Sequence, residues 1–200
     1  MSGLTAGTVA AREAHTRGGR TVRKVVVYEL LSLDGVAESP DEFILDWDEV
    51  MDANLARVIS TQDDVILGRR SYDDWAPFWP PSDIEPFASF INAVPKHVAT
   101  SSALAPEWAG AAAIEGDLVT FVRDLAARPG ADIGVHASLS VARSLLAAGA
   151  VDELRLVVAP AVAGRGQRLL DGLPPIRLEP IESVTSPSGS LLLGYRVLTS

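Results

Sequence analysis

The sequence predicts a three-layer α/β domain with a mostly parallel central sheet and a C-terminal antiparallel hairpin. Short β-branched apolar runs alternate with stretches of helical periodicity along most of the chain. Repeated strand–helix units of this kind form a parallel sheet with helices on both faces. The last two apolar runs are separated only by the turn Ser186-Pro187-Ser188-Gly189, which favours a hairpin. With 200 residues, 48% of them hydrophobic, the chain can bury one sizeable core.

The elements are predicted in order from this alternation. The first strand, KVVVYELL at 24–31, follows a tail over 1–22 that has no periodicity and is expected to be disordered. A loop with Asp34-Gly35 leads to a helix over 46–60, where apolar side chains recur at helical spacing. The remaining predictions are strands at 64–67, 97–100, 132–136, 154–159, 176–184 and 190–198, helices at 118–127 and 139–148, and a proline-rich loop at 76–86. We predict a single domain over 23–198.

Composition excludes several classes of function. The net charge is −9 and no basic stripe is present, so we expect no nucleic-acid partner. The chain has no cysteine, which removes thiolate nucleophiles and Cys-ligated zinc, and we expect no metal. It also lacks the sequence signatures of serine hydrolases, zincins and zinc deaminases. No apolar stretch approaches the roughly 20 residues of a membrane span or forms a secretory signal, so a cytoplasmic protein is expected.

Two glycine-containing segments are candidate phosphate sites. Residues 164–169 begin like a dinucleotide fingerprint, but Leu169 stands at the third glycine position and the segment comes late in the chain. Residues 68–71 (GRRS) follow a predicted strand and open a helix, where free backbone amides attract anions. Two adjacent arginines would suit a nucleotide with a 2′-phosphate. From spacing alone, a tight turn with solvated arginines is an equal alternative.

Acidic and aromatic residues after the first strand are the other candidates. Asp34 follows that strand directly and therefore lies at the carboxyl edge of the sheet, where α/β proteins place ligands. The alternative is a plain Asp-Gly turn. Trp47, at an acidic helix start, is favoured as a packing residue. Asp52, one turn further, would face the same ligand cleft as Asp34, at the carboxyl edge of the sheet. His97 and His136, in or at the end of strands, are favoured as structural histidines.

Four stretches resemble the dihydrofolate reductase-like family that carries the reductase C-terminal domain of riboflavin biosynthesis. Their order and spacing are more specific than any one motif, and the resemblance covers residues 23–198. The stretches are VVVYELLSLDG at 25–35, DDVILGRRSYDDW at 63–75, residues 133–172 and SGSLLLGYRV at 188–197.

The resemblance implies a homodimer that uses NADPH and acts on a small-molecule substrate. At the pyrophosphate turn the chain departs from the family, because side chains replace a glycine-rich triplet and restrict backbone approach. Asp34 is the expected proton donor. The implied cofactor-binding residues are Gly68, Arg69, Arg70, Ser71, Thr100, Ser101, Ser102, His136, Ala137, Ser138 and Leu139, and the implied substrate-side residues are Leu33, Asp34, Trp47 and Asp52.

The expected reaction is hydride transfer from NADPH to a C=N or C=O carbon of a pterin- or ribosylaminopyrimidine-like substrate. Such an enzyme would be similar to 5-amino-6-(5-phosphoribosylamino)uracil reductase, the reductase half of a deaminase-reductase, or to dihydrofolate reductase. The altered turn at 136–138 leaves an alternative open. In that alternative the chain is a degenerate nucleotide- or small-ligand-binding dimer without reductase activity.

Overall fold

The computed structural model describes residues 23–198 in full. It also describes the backbone of two short strands, β1 (Thr16–Arg17) and β2 (Arg20–Thr21), which pair antiparallel. The rest of the predicted tail over 1–22 lies outside the described residues. No helix among the residues described has the length and apolar character needed to cross a membrane.

An eight-stranded sheet forms the middle layer. Its strands are β3 (Val25–Leu31), β4 (Gln62–Gly68), β5 (Lys96–Ala99), β6 (Ala111–Ala113), β7 (Asp132–His136), β8 (Glu153–Val158), β9 (Arg177–Thr185) and β10 (Leu191–Leu198). Their spatial order is β6-β5-β4-β7-β3-β8-β10-β9. The first six strands in that order pair in parallel, whereas β10 pairs antiparallel with both β8 and β9. The predicted parallel sheet with a terminal hairpin is confirmed.

Helices cover both faces of this sheet. They are α1 (Glu49–Ile59), α2 (Arg69–Trp75), α3 (Phe87–Ala93), α4 (Leu118–Ala126) and α5 (Leu139–Ala147), with a 3-10 turn at Pro40–Glu42. The helix predicted from residue 46 begins at Glu49, because the Asp48 side chain accepts hydrogen bonds from the amides of Val50 and Met51 and caps it there. The short helix α3 and the edge strand β6 were not predicted.

Two apolar cores lie on opposite faces of the sheet, because the side chains of each strand alternate. On β3, Val25 and Val27 face the core under α4 and α5, whereas Val26 and Tyr28 belong to the core under α1, α2 and α3. Burial on both faces is typical of parallel strands. Because β3, β4, β5 and β7 run parallel, their carboxyl ends lie at one edge of the sheet. The loops that follow these strands form the candidate site.

Candidate active site

Four of the predicted cofactor residues meet where the β4–α2 and β7–α5 turns touch. The amide of Gly68 donates to Ser138 Oγ at 2.9 Å, and Ser138 Oγ donates in turn to Ser71 Oγ at 2.9 Å. Ser71 Oγ then donates to the carbonyl of Ala137 at 2.6 Å. Both serines are buried. This chain of hydrogen bonds joins the two turns to each other.

The expectation that Gly68, Ser71 and Ser138 donate directly to phosphates needs correction, because their donors are already engaged. Gly68 has an extended φ of −83°. A Cβ at this position would make only ordinary contacts, the nearest at 3.5 Å from Val141 Cγ2, so close backbone approach does not require a glycine here. In this arrangement these donors connect the two turns to each other.

Further candidate donors lie at the start of α2 and on the loop after β5, where they are more exposed than the two buried serines. Arg69 Nη1 donates to Ser102 Oγ at 2.6 Å and to the Ala103 carbonyl at 2.8 Å, which ties the β4–α2 turn to the loop after β5. Arg70 is more exposed, with 72% of its side chain accessible, and pairs with Glu38 at 3.0 Å. The hydroxyl of Thr100 lies 3.2 Å from that of Ser102. Arg69 thus reaches the loop after β5, which also carries Thr100, the exposed Ser101 and Ser102, whereas Arg70 reaches Glu38 on the loop after β3.

The start of α5 offers further backbone donors. Ser138, at its N-cap, makes no side-chain capping hydrogen bond, so the first amides of the helix, including that of Leu139, have no side-chain acceptor among residues 23–198. Ala137, just before it, is exposed and has a left-handed φ of 47°. That conformation costs an L-residue about 1 kcal/mol and favours glycine, which the resemblance implies for this turn.

Beneath this turn lies a buried carboxyl that the sequence analysis did not single out. Glu29 on β3 is 3% exposed, and its Oε1 accepts a hydrogen bond from the Ser138 amide at 3.2 Å. Burial raises the pKa of Glu29 to about 8, although the bond from Ser138 acts in the opposite direction. The sequence feature that could have indicated Glu29 is its position as an acidic residue within the apolar run VVVYELL.

His136, the last residue of β7, has a buried side chain. Its Nε2 lies 2.8 Å from Gln62 Oε1, and the rings of Phe87 and Phe90 pack against it. A Cβ on Gly134 would lie within 3.0 Å of Gln62 Oε1 and His136 Nε2, so a larger residue there would displace this pair of side chains. Burial lowers the pKa of His136 to about 3 and keeps the ring neutral. The buried, engaged ring fits the predicted structural role and argues against the expected side-chain contact with a cofactor.

His97 is likewise structural, as predicted. Its Nε2 lies 2.7 Å from Asp64 Oδ1, and its ring packs against Phe121. The imidazole of His97 is therefore engaged by contacts within the protein.

Asp34 lies at the predicted edge, but its carboxylate holds a loop. Oδ1 accepts hydrogen bonds from Ser32 Oγ at 2.7 Å and the Ala163 amide at 2.9 Å, and Oδ2 accepts one from the Gly164 amide at 3.0 Å. Arg168 Nη2 lies 3.3 Å from Oδ2. The hydrogen bond from Ser32, followed by those from the two amides, lowers the pKa of Asp34 to about 2.

These contacts argue against Asp34 as the proton donor, because a general acid needs a pKa near the ambient pH. The alternative Asp-Gly turn is present, since the amide of Gly35 donates to the Ser32 carbonyl at 2.9 Å and Gly35 has a φ of 81°. The neighbouring Leu33 is 65% exposed, and its amide donates to Ala161. The loop over 161–168 is thus anchored on the residues that follow β3.

Replacing Asp34 by Asn is expected to loosen this loop. An amide has a single acceptor oxygen and would turn its NH₂ group towards backbone N–H donors. Hydrogen exchange at Ala163 and Gly164 should accelerate by at least about tenfold, measured by mass spectrometry. The exposed Asp171, changed to Asn, is the matched control. Unchanged exchange together with a collapse of turnover would instead place Asp34 in the chemistry.

The predicted substrate-side pair comes together on the other side of the same edge. Trp47 Nε1 donates to Asp52 Oδ1 at 2.6 Å, and the indole remains 40% exposed. Asp52 lies in the first turn of α1, whose start follows the loop after β3. The arginine and hydroxyl set and the Trp47–Asp52 pair therefore flank one edge of the sheet, which suits an elongated ligand beside a smaller one.

The strand order and the terminal hairpin define an α/β protein with the dihydrofolate reductase-like fold. Residues 23–192 match the model of the RibD C-terminal domain, and the chain belongs to that family.

The chain is also similar to individual proteins and solved structures. The uncharacterized protein YyaP of Bacillus subtilis is 26% identical over 182 residues, covering 86% of this chain and 94% of its own length. A crystal structure from Shewanella sp. PV-4, whose name assigns it to riboflavin biosynthesis, has a TM-score of 0.72 at 17% identity and covers 88% of this chain and 99% of its own. Dihydrofolate reductase from Enterococcus faecalis, complexed with NADP(H), has a TM-score of 0.59 at 13% identity, with 87% and 96% covered. The two crystal structures share the fold with this chain.

Proposed function

We propose that this chain is an NADPH-dependent reductase that transfers a hydride to a C=N or C=O carbon of a small pterin- or pyrimidine-like heterocycle. The observation that carries the proposal is the pairing of two residue sets across one sheet edge. Arg69 with Ser102 stands on one side, and Trp47 with Asp52 on the other. Ligands of open parallel sheets bind at this edge.

The residues on the cofactor side fit a phosphorylated dinucleotide. Arg69, Arg70 and the hydroxyls of 100–102 would hold a 2′-phosphate, because guanidinium groups match phosphate oxygens in geometry and charge. The uncapped first turn of α5, including the Leu139 amide, would face the pyrophosphate. Bound NADPH supplies the hydride. The dihydrofolate reductase of similar fold is complexed with NADP(H).

On the substrate side, Asp52 and Trp47 would orient the heterocycle, and the exposed Leu33 would line its entrance. Orientation of two reactants and exclusion of water are the main tasks of a protein in hydride transfer. Because its carboxylate is engaged by four partners, Asp34 acts as a positioning residue for the 161–168 loop. The substrate is a dihydrofolate-like pterin or a ribosylaminopyrimidine.

Fluorescence titration with NADPH and with NADH tests the proposal. We expect NADPH to bind at least about tenfold more tightly, since a 2′-phosphate adds charge-assisted hydrogen bonds. NADPH oxidation should then follow the addition of dihydrofolate or of 5-amino-6-(5-phosphoribosylamino)uracil, and the substrate that is turned over identifies the class. Absence of binding at about millimolar nucleotide would favour a degenerate binding module without reductase activity.

We also propose that the chain forms a homodimer, as the resemblance implies. The edge strand β9 supports this, because it presents the exposed apolar side chains Leu178, Ile181 and Val184. Exposed apolar side chains on an unpaired strand edge are typical of surfaces that another chain covers. A cytoplasmic location remains a prediction from the sequence.

A further inference from the structure

An ion pair between two segments crosses the ligand edge. Arg70, in the first turn of α2, pairs with Glu38, in the loop after β3, at 3.0 Å between Nη1 and Oε1. In the order of the sheet, β7 lies between β3 and β4, the strand that precedes α2. The ion pair therefore connects segments on either side of β7, whose carboxyl end continues into the turn at 137–138. The neighbouring Arg69, by contrast, pairs with Asp73 within its own helix.

Glu38 is also anchored to a third segment. Its Oε2 accepts a hydrogen bond from the amide of Gln167, in the loop after β8, at 3.1 Å. A Cβ on Gly166 would lie 2.7 Å from Val36 Cγ1 and 3.6 Å from Glu38 Oε2, so the two loops are in close contact. The side chain of Glu38 is 28% exposed, whereas that of Arg70 is 72% exposed. Glu38 is therefore the more fixed partner, and the long side chain of Arg70 is the one that can turn towards a ligand.

The carboxylate of Glu38 and a nucleotide phosphate are alternative partners for the same guanidinium. Arginine binds carboxylate and phosphate oxygens through the same fork of N–H donors. The pair with Glu38 is exposed, and exposed ion pairs are weak, so the exchange of one anion for the other is easy. A phosphate that binds Arg70 nevertheless has to displace Glu38 first.

We infer that Glu38 opposes binding of the dinucleotide, because it occupies Arg70 in the free protein until a phosphate of the nucleotide takes its place. Opening of the Arg70–Glu38 pair across the end of β7 is then a step of cofactor binding. This inference rests on the proposed function and deepens it, since it names the residue that limits affinity for the cofactor. The 2′-phosphate and the pyrophosphate share the required chemistry, and a comparison of NADPH with NADH distinguishes them.

Glu38→Gln tests the inference, because it removes the charge and keeps an acceptor oxygen for the Gln167 amide. Fluorescence titration should show that NADPH binds about fivefold more tightly to the variant, since the ion pair no longer competes. The matched control is Glu42→Gln, an exposed glutamate in the same loop, which should change NADPH binding by less than about twofold. An equal gain in both variants would mean that net charge alone is responsible and would overturn the inference.

A double-mutant cycle shows whether Glu38 acts through Arg70. When Arg70→Gln is already present, the further change Glu38→Gln should leave NADPH binding within about twofold, because no guanidinium remains to be released. A gain of about fivefold in that background would contradict the inference. If Arg70 binds the 2′-phosphate, Glu38→Gln alone leaves NADH binding unchanged; if Arg70 binds the pyrophosphate, both nucleotides bind more tightly.

Thermal unfolding separates this role from a purely structural one. Because an exposed ion pair contributes little to stability, the Tm of Glu38→Gln should lie within about 4 °C of the wild-type value. A larger fall in Tm with unchanged NADPH affinity would mean that Glu38 only holds the loops together. Unchanged NADPH affinity in Glu38→Gln overturns the inference alone, whereas absence of NADPH and NADH binding from both proteins at about millimolar nucleotide overturns the proposed function with it.

Discussion

Glu29→Gln is expected to stabilise the protein by roughly 3 to 5 kcal/mol at about pH 9, while leaving its stability near pH 4 almost unchanged. Glu29 is 3% exposed, and its pKa rises from the usual 4.5 to about 8 in the folded protein. Gln is nearly isosteric, and its carbonyl oxygen can still accept the hydrogen bond from the Ser138 amide. The variant therefore removes the charge and keeps the contact.

The sign follows from proton binding. The folded state holds the Glu29 proton more tightly than the unfolded state, so the contribution of this group is fully present below the unfolded pKa of 4.5. It is lost as the pH rises through the folded pKa of about 8, at about 1.4 kcal/mol for each pH unit between the two values. Above that range the folded protein carries an unpaired buried carboxylate.

Urea unfolding of both proteins across this pH range measures the effect. The difference in unfolding free energy between variant and wild type should grow with pH and level off above the folded pKa. Changing the exposed Glu115 to Gln controls for the loss of one negative charge. Curves of unfolding free energy against pH that run parallel for the wild type and Glu29→Gln would contradict a raised pKa for Glu29.

The second large effect concerns cofactor choice. Replacing both Arg69 and Arg70 by Gln should weaken NADPH binding about a hundredfold, at about tenfold for each charge-assisted hydrogen bond to phosphate, and should change NADH binding little. The present partners, Asp73 for Arg69 and Glu38 for Arg70, form surface ion pairs. Such pairs contribute only about 0 to 1 kcal/mol each, so a phosphate can displace them.

The control for this double variant is Arg177→Gln, at the outer edge strand β9, which removes a positive charge far from the site. Equal losses for NADPH and NADH would mean that the arginines hold the pyrophosphate or only the loop after β5, to which Arg69 is bonded. Single variants then separate the two arginines. Arg70 does not contact the loop after β5 and pairs with Glu38 instead, so its variant tests phosphate binding without disturbing that loop.

Hydrophobic periodicity predicted the main elements of the fold, because burial of one or two faces requires apolar residues at regular intervals in the sequence. The strands at 132–136 and 190–198 and the helices α4 and α5 were predicted to within about two residues. The helix α3 was missed because its seven residues follow a proline-rich loop and are too few for a clear period. The strand β6 is three alanines, whose place in the sheet depends on pairing with β5.

The sequence predicted which segments lie at the candidate site, but not how their side chains are hydrogen-bonded. The prediction that Asp34 follows the first strand and reaches the ligand edge needed only strand order. Its hydrogen bonds to Ala163 and Gly164, about 130 residues away along the chain, could not be read from local pattern. The same holds for the bond between Gly68 and Ser138. These contacts decided which predicted residues position the site and which remain free to bind.

The sequence by itself determined the α/β class, the family and the segments that follow the parallel strands at their carboxyl ends. The hydrophobic period and the order of motifs can be recognised in the sequence without a structure. Only the tertiary structure decided that Asp34 anchors a loop, that Glu29 is a buried carboxyl beneath the 137–138 turn, and that the Tyr28 hydroxyl has no hydrogen-bond partner among residues 23–198. Burial and hydrogen bonding depend on what the rest of the chain brings against a side chain, and no window of sequence contains that information.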